Sequence, residues 1–237
     1  MDIKTEKIIL TVGDGTRMGA YVARSDGDTT GAGIIVLQEA FGVNGHIRDV
    51  SERLAREGYT TIAPEFFHRQ GDGIEIPYDS YDRSTMQTLT DEEMEADMRT
   101  AFEWLRSQAG INNEAIATIG FCMGGRASFL ANATLPLKAA VSFYGGRIAE
   151  TLLDRAGQLA APMLFFWGGL DTHIPVADRR KVLDALDTAR KAYTNVEFSE
   201  ADHGFFCDAR RSYHAASARE AWALTLEFLK TYVQTVN

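Results

Sequence analysis

An α/β fold built on a mostly parallel central sheet, with helices on both faces and an N-terminal antiparallel hairpin, is the class this sequence predicts. Three observations carry it. Short, wholly apolar runs such as Ile34-Ile35-Val36-Leu37 recur along the chain, the kind of strand that is covered on both faces. Stretches with apolar residues at helical spacing lie between them, so β and α alternate. No linker, composition break or internal repeat interrupts the alternation, which gives one domain over residues 1–237.

The elements follow in order. Residues 3–12 and 17–24 flank Gly13-Asp14-Gly15-Thr16 and read as the hairpin. The first buried strand ends at Leu37, and residues 46–57 place Ile47, Val50 and Leu54 on one helical face before Gly58 stops the turn. Strand-like YTTIAP comes next. Residues 65–90 are long, irregular and aromatic, and read as a lid or binding loop. Thr90-Asp91-Glu92-Glu93 is a capping box that opens a helix carrying Met94, Met98, Ala101, Phe102 and Leu105 inward. AIATIG is a strand and GRASFLANA the helix behind it. LKAAVSFYG and PMLFFWGG are further buried strands. Residues 175–190 form a helix opened by Pro175, NVEFSEA is the last strand, and the closing helix turns Trp222, Leu226, Leu229 and Val233 inward.

A net charge of −9 argues against a nucleic-acid or anionic-membrane surface. No apolar stretch is long enough to span a bilayer. The N-terminus lacks a signal-peptide layout, because Asp2, Glu6 and Lys7 crowd its short apolar patch. A cytoplasmic location is therefore expected, with Cys122 and Cys207 as free thiols.

The chemistry centres on Gly120-Phe121-Cys122-Met123-Gly124. This is G-x-S-x-G with cysteine in place of serine, between a strand and a helix, where a sharp turn exposes a nucleophile. A thiol at a helix N-terminus is favoured as the thiolate by the peptide dipoles. Asp171, after PMLFFWGG, is the expected acid, with Asp178 and Asp154 as weaker candidates inside helices. His203 follows the last strand, where a general base belongs. His46, His68 and His214 compete poorly, and His173 is too close to Asp171 in sequence to be oriented by it. No H-x-x-x-H or C-x-x-C pairing supports a metal, and no cofactor is expected. Oxyanion donors are expected from the amides of Met123 and Ala40. Glu39 stands out, since a carboxylate beside an oxyanion site opposes the charge formed there.

QEAFGVN at 38–44, GFCMGG at 120–125, Asp171 and ADHGF at 201–205 together resemble the dienelactone hydrolase family, or carboxymethylenebutenolidases, over nearly the whole chain. The resemblance implies an α/β-hydrolase fold, a Cys-Asp-His triad and no cofactor. It also implies that Glu39 gates the resting thiol. Family members acting on dienelactone hold its carboxylate with two arginines. Arg83 corresponds to the one in the loop, with Arg69 as a competitor, and Cys207 stands where the second is expected. Arg210 and Arg211 come a turn later. Losing a bidentate clamp points towards neutral or aryl esters and lactones, with Tyr78, Tyr81, Tyr144, Phe205 and Phe206 as aromatic lining.

The function expected is thus a cysteine-dependent ester or lactone hydrolase working through a thioester, with promiscuous phosphotriesterase activity as an extension. A true carboxymethylenebutenolidase, a redox-sensing or ligand-binding protein using Cys122 (with Cys207 as a second thiol), and an acyltransferase are the alternatives. The expected partner is a small-molecule ester or lactone, the assembly a monomer or homodimer.

Overall fold

The computed structural model describes residues 2–27, 29–80 and 84–234. By internal contacts the chain divides into two compact units, Met1–Ala117 with Gln234–Asn237, and Thr118–Val233. The class is α/β with a mostly parallel central sheet and an N-terminal antiparallel hairpin.

In the first unit, β1 (Ile3–Thr11) and β2 (Arg17–Ser25) pair antiparallel, with Ile3 opposite Ser25 and Thr11 opposite Arg17. β3 (Gly33–Leu37) and β4 (Thr60–Pro64) are parallel, and β2 lies antiparallel along β4, giving the order β1-β2-β4-β3. All five residues of β3 are buried, as expected of a strand covered on both sides. Burying each large aliphatic side chain contributes about 1.5–3 kcal/mol.

Helix α1 (Gly45–Arg56) is capped by Asn44, whose side chain accepts from the Ile47 amide at 3.3 Å. The short α2 (Ser84–Gln87) precedes α3 (Asp91–Arg106), which opens on the expected capping box. There the Thr90 hydroxyl accepts from the Glu93 amide at 3.2 Å, and the Glu93 carboxylate accepts from the Thr90 amide at 2.9 Å.

The described part of residues 65–90 is anchored rather than loose. Asn44 donates to the Tyr78 hydroxyl at 2.9 Å, the Phe41 and Tyr78 rings meet edge-on at 4.6 Å, and Ile76 donates its amide to the Phe41 carbonyl.

β5 (Ile116–Phe121) carries the chain into the second unit. There β6 (Ala139–Phe143), β7 (Met163–Gly168) and β8 (Tyr193–Phe198) follow in the order β5-β6-β7-β8, with β7 parallel to both neighbours. α4 (Met123–Thr134) packs on β6, and α7 (Ala215–Val233) on β6 and β7. α5 (Ile148–Thr151), a 3-10 turn over Leu153–Gln158 and α6 (Val176–Thr188) complete the unit. Along α7, Leu229 and Val233 are buried as expected, whereas Trp222 and Leu226 are only half-buried. Ala218, Ala221 and Phe228 fill the stripe instead, because the small residues let the helix approach the strands closely.

Candidate active site

The site begins where β5 ends. Its six residues are all buried, and one residue, Cys122, separates it from α4. Cys122 has φ 54° and ψ −114°, a conformation that costs a non-glycine residue of order 1–3 kcal/mol. Three backbone bonds hold it there. Its amide donates to the Phe143 carbonyl at 3.0 Å, and its carbonyl accepts from the Gly125 and Arg126 amides at 3.0 and 3.2 Å.

The flanking glycines are steric necessities. A Cβ on Gly120 would land on the Gly124 carbonyl, and one on Gly125 would lie 2.6 Å from the Phe143 oxygen. The Cys122 side chain makes no capping bond to α4. It is hydrogen-bonded to His203 instead.

The acid and base come from the turns after β7 and β8, and backbone bonds lace those turns together. The Gly169 amide donates to the Phe198 carbonyl at 2.8 Å, and the Leu170 amide to the Ala201 carbonyl at 2.9 Å. Buried Arg179 braces the same turn by donating to the Gly168 carbonyl at 3.1 Å. Asp171 is buried with both oxygens committed. Oδ1 accepts the amides of His173 at 2.8 Å and Ile174 at 3.2 Å, and Oδ2 lies 2.8 Å from His203 Nδ1. In the base turn Gly204 has φ +79°, a left-handed conformation that favours glycine after His203.

The electrostatics follow from this packing. Burial works against a charged His203, but the negative charge of Cys122, the hydrogen bonds to Asp171 and Cys122, and the charge of Asp171 outweigh it and raise the imidazole to about 10. Burial likewise pushes Asp171 up. The hydrogen bond and charge of His203, with the His173 amide, win and hold the carboxyl below its ordinary value. A thiol beside an imidazole that readily takes a proton, with a carboxylate behind it, is an arrangement able to attack an electrophilic carbon and to move a proton.

The second unit therefore brings Cys122, Met123, Asp171 and His203 together. Of the aromatics expected as lining, Tyr144 packs on His203, and Phe205 and Phe206 lie in the buried aromatic cluster beyond it. Tyr144 has a positive φ of 39°, held by its amide donating to the Phe166 carbonyl at 2.8 Å, and its ring centroid lies 5.1 Å from that of His203. Phe205 packs on Tyr144 at 5.4 Å, and Phe206 stacks on Phe121 at 5.4 Å. Tyr144, Phe205, Phe206 and Cys207 are all buried.

In the first unit, Glu39 and Ala40 are buried in the turn after β3, where the Gln38 side chain spans from the Glu39 carbonyl to the Phe66 amide. Tyr81 and Arg83 lie outside the described residues. Arg69 is committed elsewhere, donating to both oxygens of Asp97 and to Asp14. Of the other histidines, His46 is buried at the start of α1, His68 pairs with Asp97, and His214 Nδ1 is 2.8 Å from the Ser217 hydroxyl. His173 meets Asp171 through its backbone amide, not its ring. Its ring nevertheless lies 5.2 Å from that of His203, a contact between two loops that spacing along one loop does not reveal.

Comparison with known proteins finds relatives over nearly the whole chain. The model of the dienelactone hydrolase family matches residues 18–233. An inferred carboxymethylenebutenolidase of Synechocystis sp. is 33% identical over 98% of this chain and 98% of its own length. One of Escherichia coli K12 is 39% identical over 92% of this chain and 84% of its own. The crystal structure of an inferred dienelactone hydrolase from Klebsiella pneumoniae is 36% identical, with a TM-score of 0.87 over 98% of this chain and 100% of that one. A dienelactone hydrolase-like promiscuous phosphotriesterase from metagenomic libraries shares the fold, with a TM-score of 0.84 at 22% identity over 98% of this chain and 99% of that one. No helix among the described residues is long and apolar enough to cross a membrane. Matched over nearly its whole length, the chain belongs to the dienelactone hydrolase family, a family of ester and lactone hydrolases.

Proposed function

We propose that this hydrolase works through Cys122 as nucleophile, His203 as general base and acid, and Asp171 as the group that orients and charges the imidazole. The observation that carries the reading is the 2.8 Å bond from His203 Nδ1 to Asp171 in a ring also bonded to a thiol at a strained strand-to-helix turn. The thiolate attacks the carbonyl carbon, and the electron pair of the carbonyl moves onto oxygen. The Met123 amide, at the head of α4, is the donor assigned to that oxyanion. As the tetrahedral species collapses, the C–O bond breaks, and His203 gives its proton to the departing alkoxide. A thioester on Cys122 is left. Neutral His203 then takes a proton from water as its oxygen attacks the thioester, the C–S bond breaks, and the thiolate–imidazolium pair is restored as the acid leaves. Glu39 as the gate of the thiol and the Ala40 amide as second oxyanion donor belong to the proposal through the family resemblance.

Neutral or aryl esters and lactones are the proposed substrates. Cys207, buried among Phe205 and Phe206, supplies no cation where a carboxylate clamp is expected. The phosphotriesterase named among the structural neighbours suggests the same site can take a phosphotriester as a side reaction. The second reading is dienelactone itself, favoured by the names of the relatives.

A burst assay of wild type and Cys122→Ala on a neutral para-nitrophenyl ester, an aryl phosphotriester and dienelactone tests both. A burst equal to the enzyme concentration, lost in Cys122→Ala, is expected on the neutral ester. Turnover confined to dienelactone would replace the first reading by the second.

A further inference from the structure

Among the described residues His203 has two ring neighbours besides its hydrogen-bonding partners. Tyr144 lies at 5.1 Å and 59° between planes, His173 at 5.2 Å and 72°, the latter an edge-on contact. One neighbour is buried and the other, His173, is exposed, standing in the turn between Asp171 and α6. We propose that His173 is a positioning residue for the reaction, whose edge-on ring contact, together with Tyr144, fixes the plane of the His203 imidazole so that it reaches Asp171 and Cys122 at once.

The need for such a brace follows from the torsion involved. Rotation of an imidazole about its last bond is soft, with broad minima rather than sharp staggered wells. The bond to Asp171 fixes one nitrogen in place, and it tolerates tilting of the ring about that point. A second contact out of line with the first removes the tilt. Edge-to-face ring packing supplies a directional contact of this kind. Residue 173 grips the acid as well, since its amide donates to Asp171 Oδ1 at 2.8 Å and so leaves Oδ2 to His203. That grip belongs to the backbone and survives any side-chain change, so substitutions at 173 isolate the ring contact.

The inference rests on His203 being the base of the proposed mechanism, and its test is arranged to separate the two. Steady-state kinetics on a neutral para-nitrophenyl ester are compared for wild type, His173→Ala, His173→Gln, His173→Phe and Cys122→Ala. The Nδ1 proton of His203, bonded to Asp171, is followed in parallel by its downfield proton resonance. His173→Ala and His173→Gln are expected to lower kcat about tenfold with KM within about twofold, as loss of an aromatic edge contact implies. The Nδ1 resonance broadens in both. His173→Phe, which restores an aromatic edge without a titrating group, recovers kcat to within about threefold and the sharp resonance. Wild-type kcat with a sharp resonance in His173→Ala and His173→Gln, or a His173→Phe as slow as His173→Ala, would overturn the proposal. Turnover persisting in Cys122→Ala would instead sink the mechanism, and the resonance would still report on the ring contact.

Discussion

Each of the two units holds a histidine bonded to an aspartate, and the pairs have opposite surroundings. In the first, His68 Nε2 meets Asp97 Oδ1 at 3.1 Å, with both side chains sealed from solvent. Arg69 donates to both Asp97 oxygens, at 2.9 and 3.0 Å, and the other nitrogen of His68 has no hydrogen-bond partner among the described residues. Burial works against the charge on Arg69, but its bonds to Asp97 and Asp14 outweigh that and raise its pKa. In the second, His203 is 11% exposed, and among the described residues its aspartate is met by two backbone amides and no guanidinium.

What separates the two is where the carboxylate's charge goes. Asp97 spends its charge on a guanidinium that can never give up its proton. Asp171 is left with the imidazole as its counter-charge, and that imidazole also bonds a thiol. Under the proposed mechanism the same two residue types make a structural tie in one unit and a proton-moving pair in the other. An aspartate–histidine contact alone does not mark an active site.

The sharpest way to break this comparison is to neutralise each aspartate in turn. Asp171→Asn keeps the shape and removes the charge, and kcat on a neutral ester should fall about 10³–10⁴-fold, as losing the orienting acid does in other triads. The melting temperature should move little by comparison. A loss below tenfold would mean that Asp171 is no more than a tie, like Asp97.

This contrast also shows what could be read from residue order. The turn at Cys122 was legible because its determinants are local, a buried strand, small flanking residues and a helix within a dozen positions. Asp171 and His203 were legible because strand ends in a parallel sheet share one rim. The His68–Asp97 pair was not legible. Its members are 29 positions apart, and Asp97 lies on the buried face of α3 among Met94, Met98 and Ala101, where an apolar pattern passes over a lone carboxylate. The four-residue α2 and α5 are too short to show a period. The ring contact of His173 with His203 was not legible either, because the ring it touches belongs to another loop.

The next largest effect is expected in the first unit. Asp97→Ala leaves the buried His68 without its partner and the half-buried Arg69 with Asp14 in place of two aspartates, a loss at the lower end of the about 3–5 kcal/mol that breaking a buried pair from one side costs. For a chain of this size that lowers the melting temperature by about 10 °C. Measured well below that transition, kcat/KM should stay within about twofold of wild type. Stability retained together with lost turnover would reverse the roles given to the two pairs.

The smallest effect is a slope. His203 is raised from 6.5 to about 10 in the folded chain, so between those values the folded state holds a proton that the unfolded state has released. Its stabilising contribution is complete below about 6.5 and is lost as pH climbs towards 10. Melting temperature should therefore decline across that window in wild type, and decline less in His203→Gln, where nothing titrates at that position. Cys122→Ala should also flatten the curve, since the negative charge of Cys122 heads the influences that raise the imidazole. A Cys122→Ala slope equal to wild type would mean that Asp171 alone holds the proton on His203, and the second pair would then differ from the first only in its exposure.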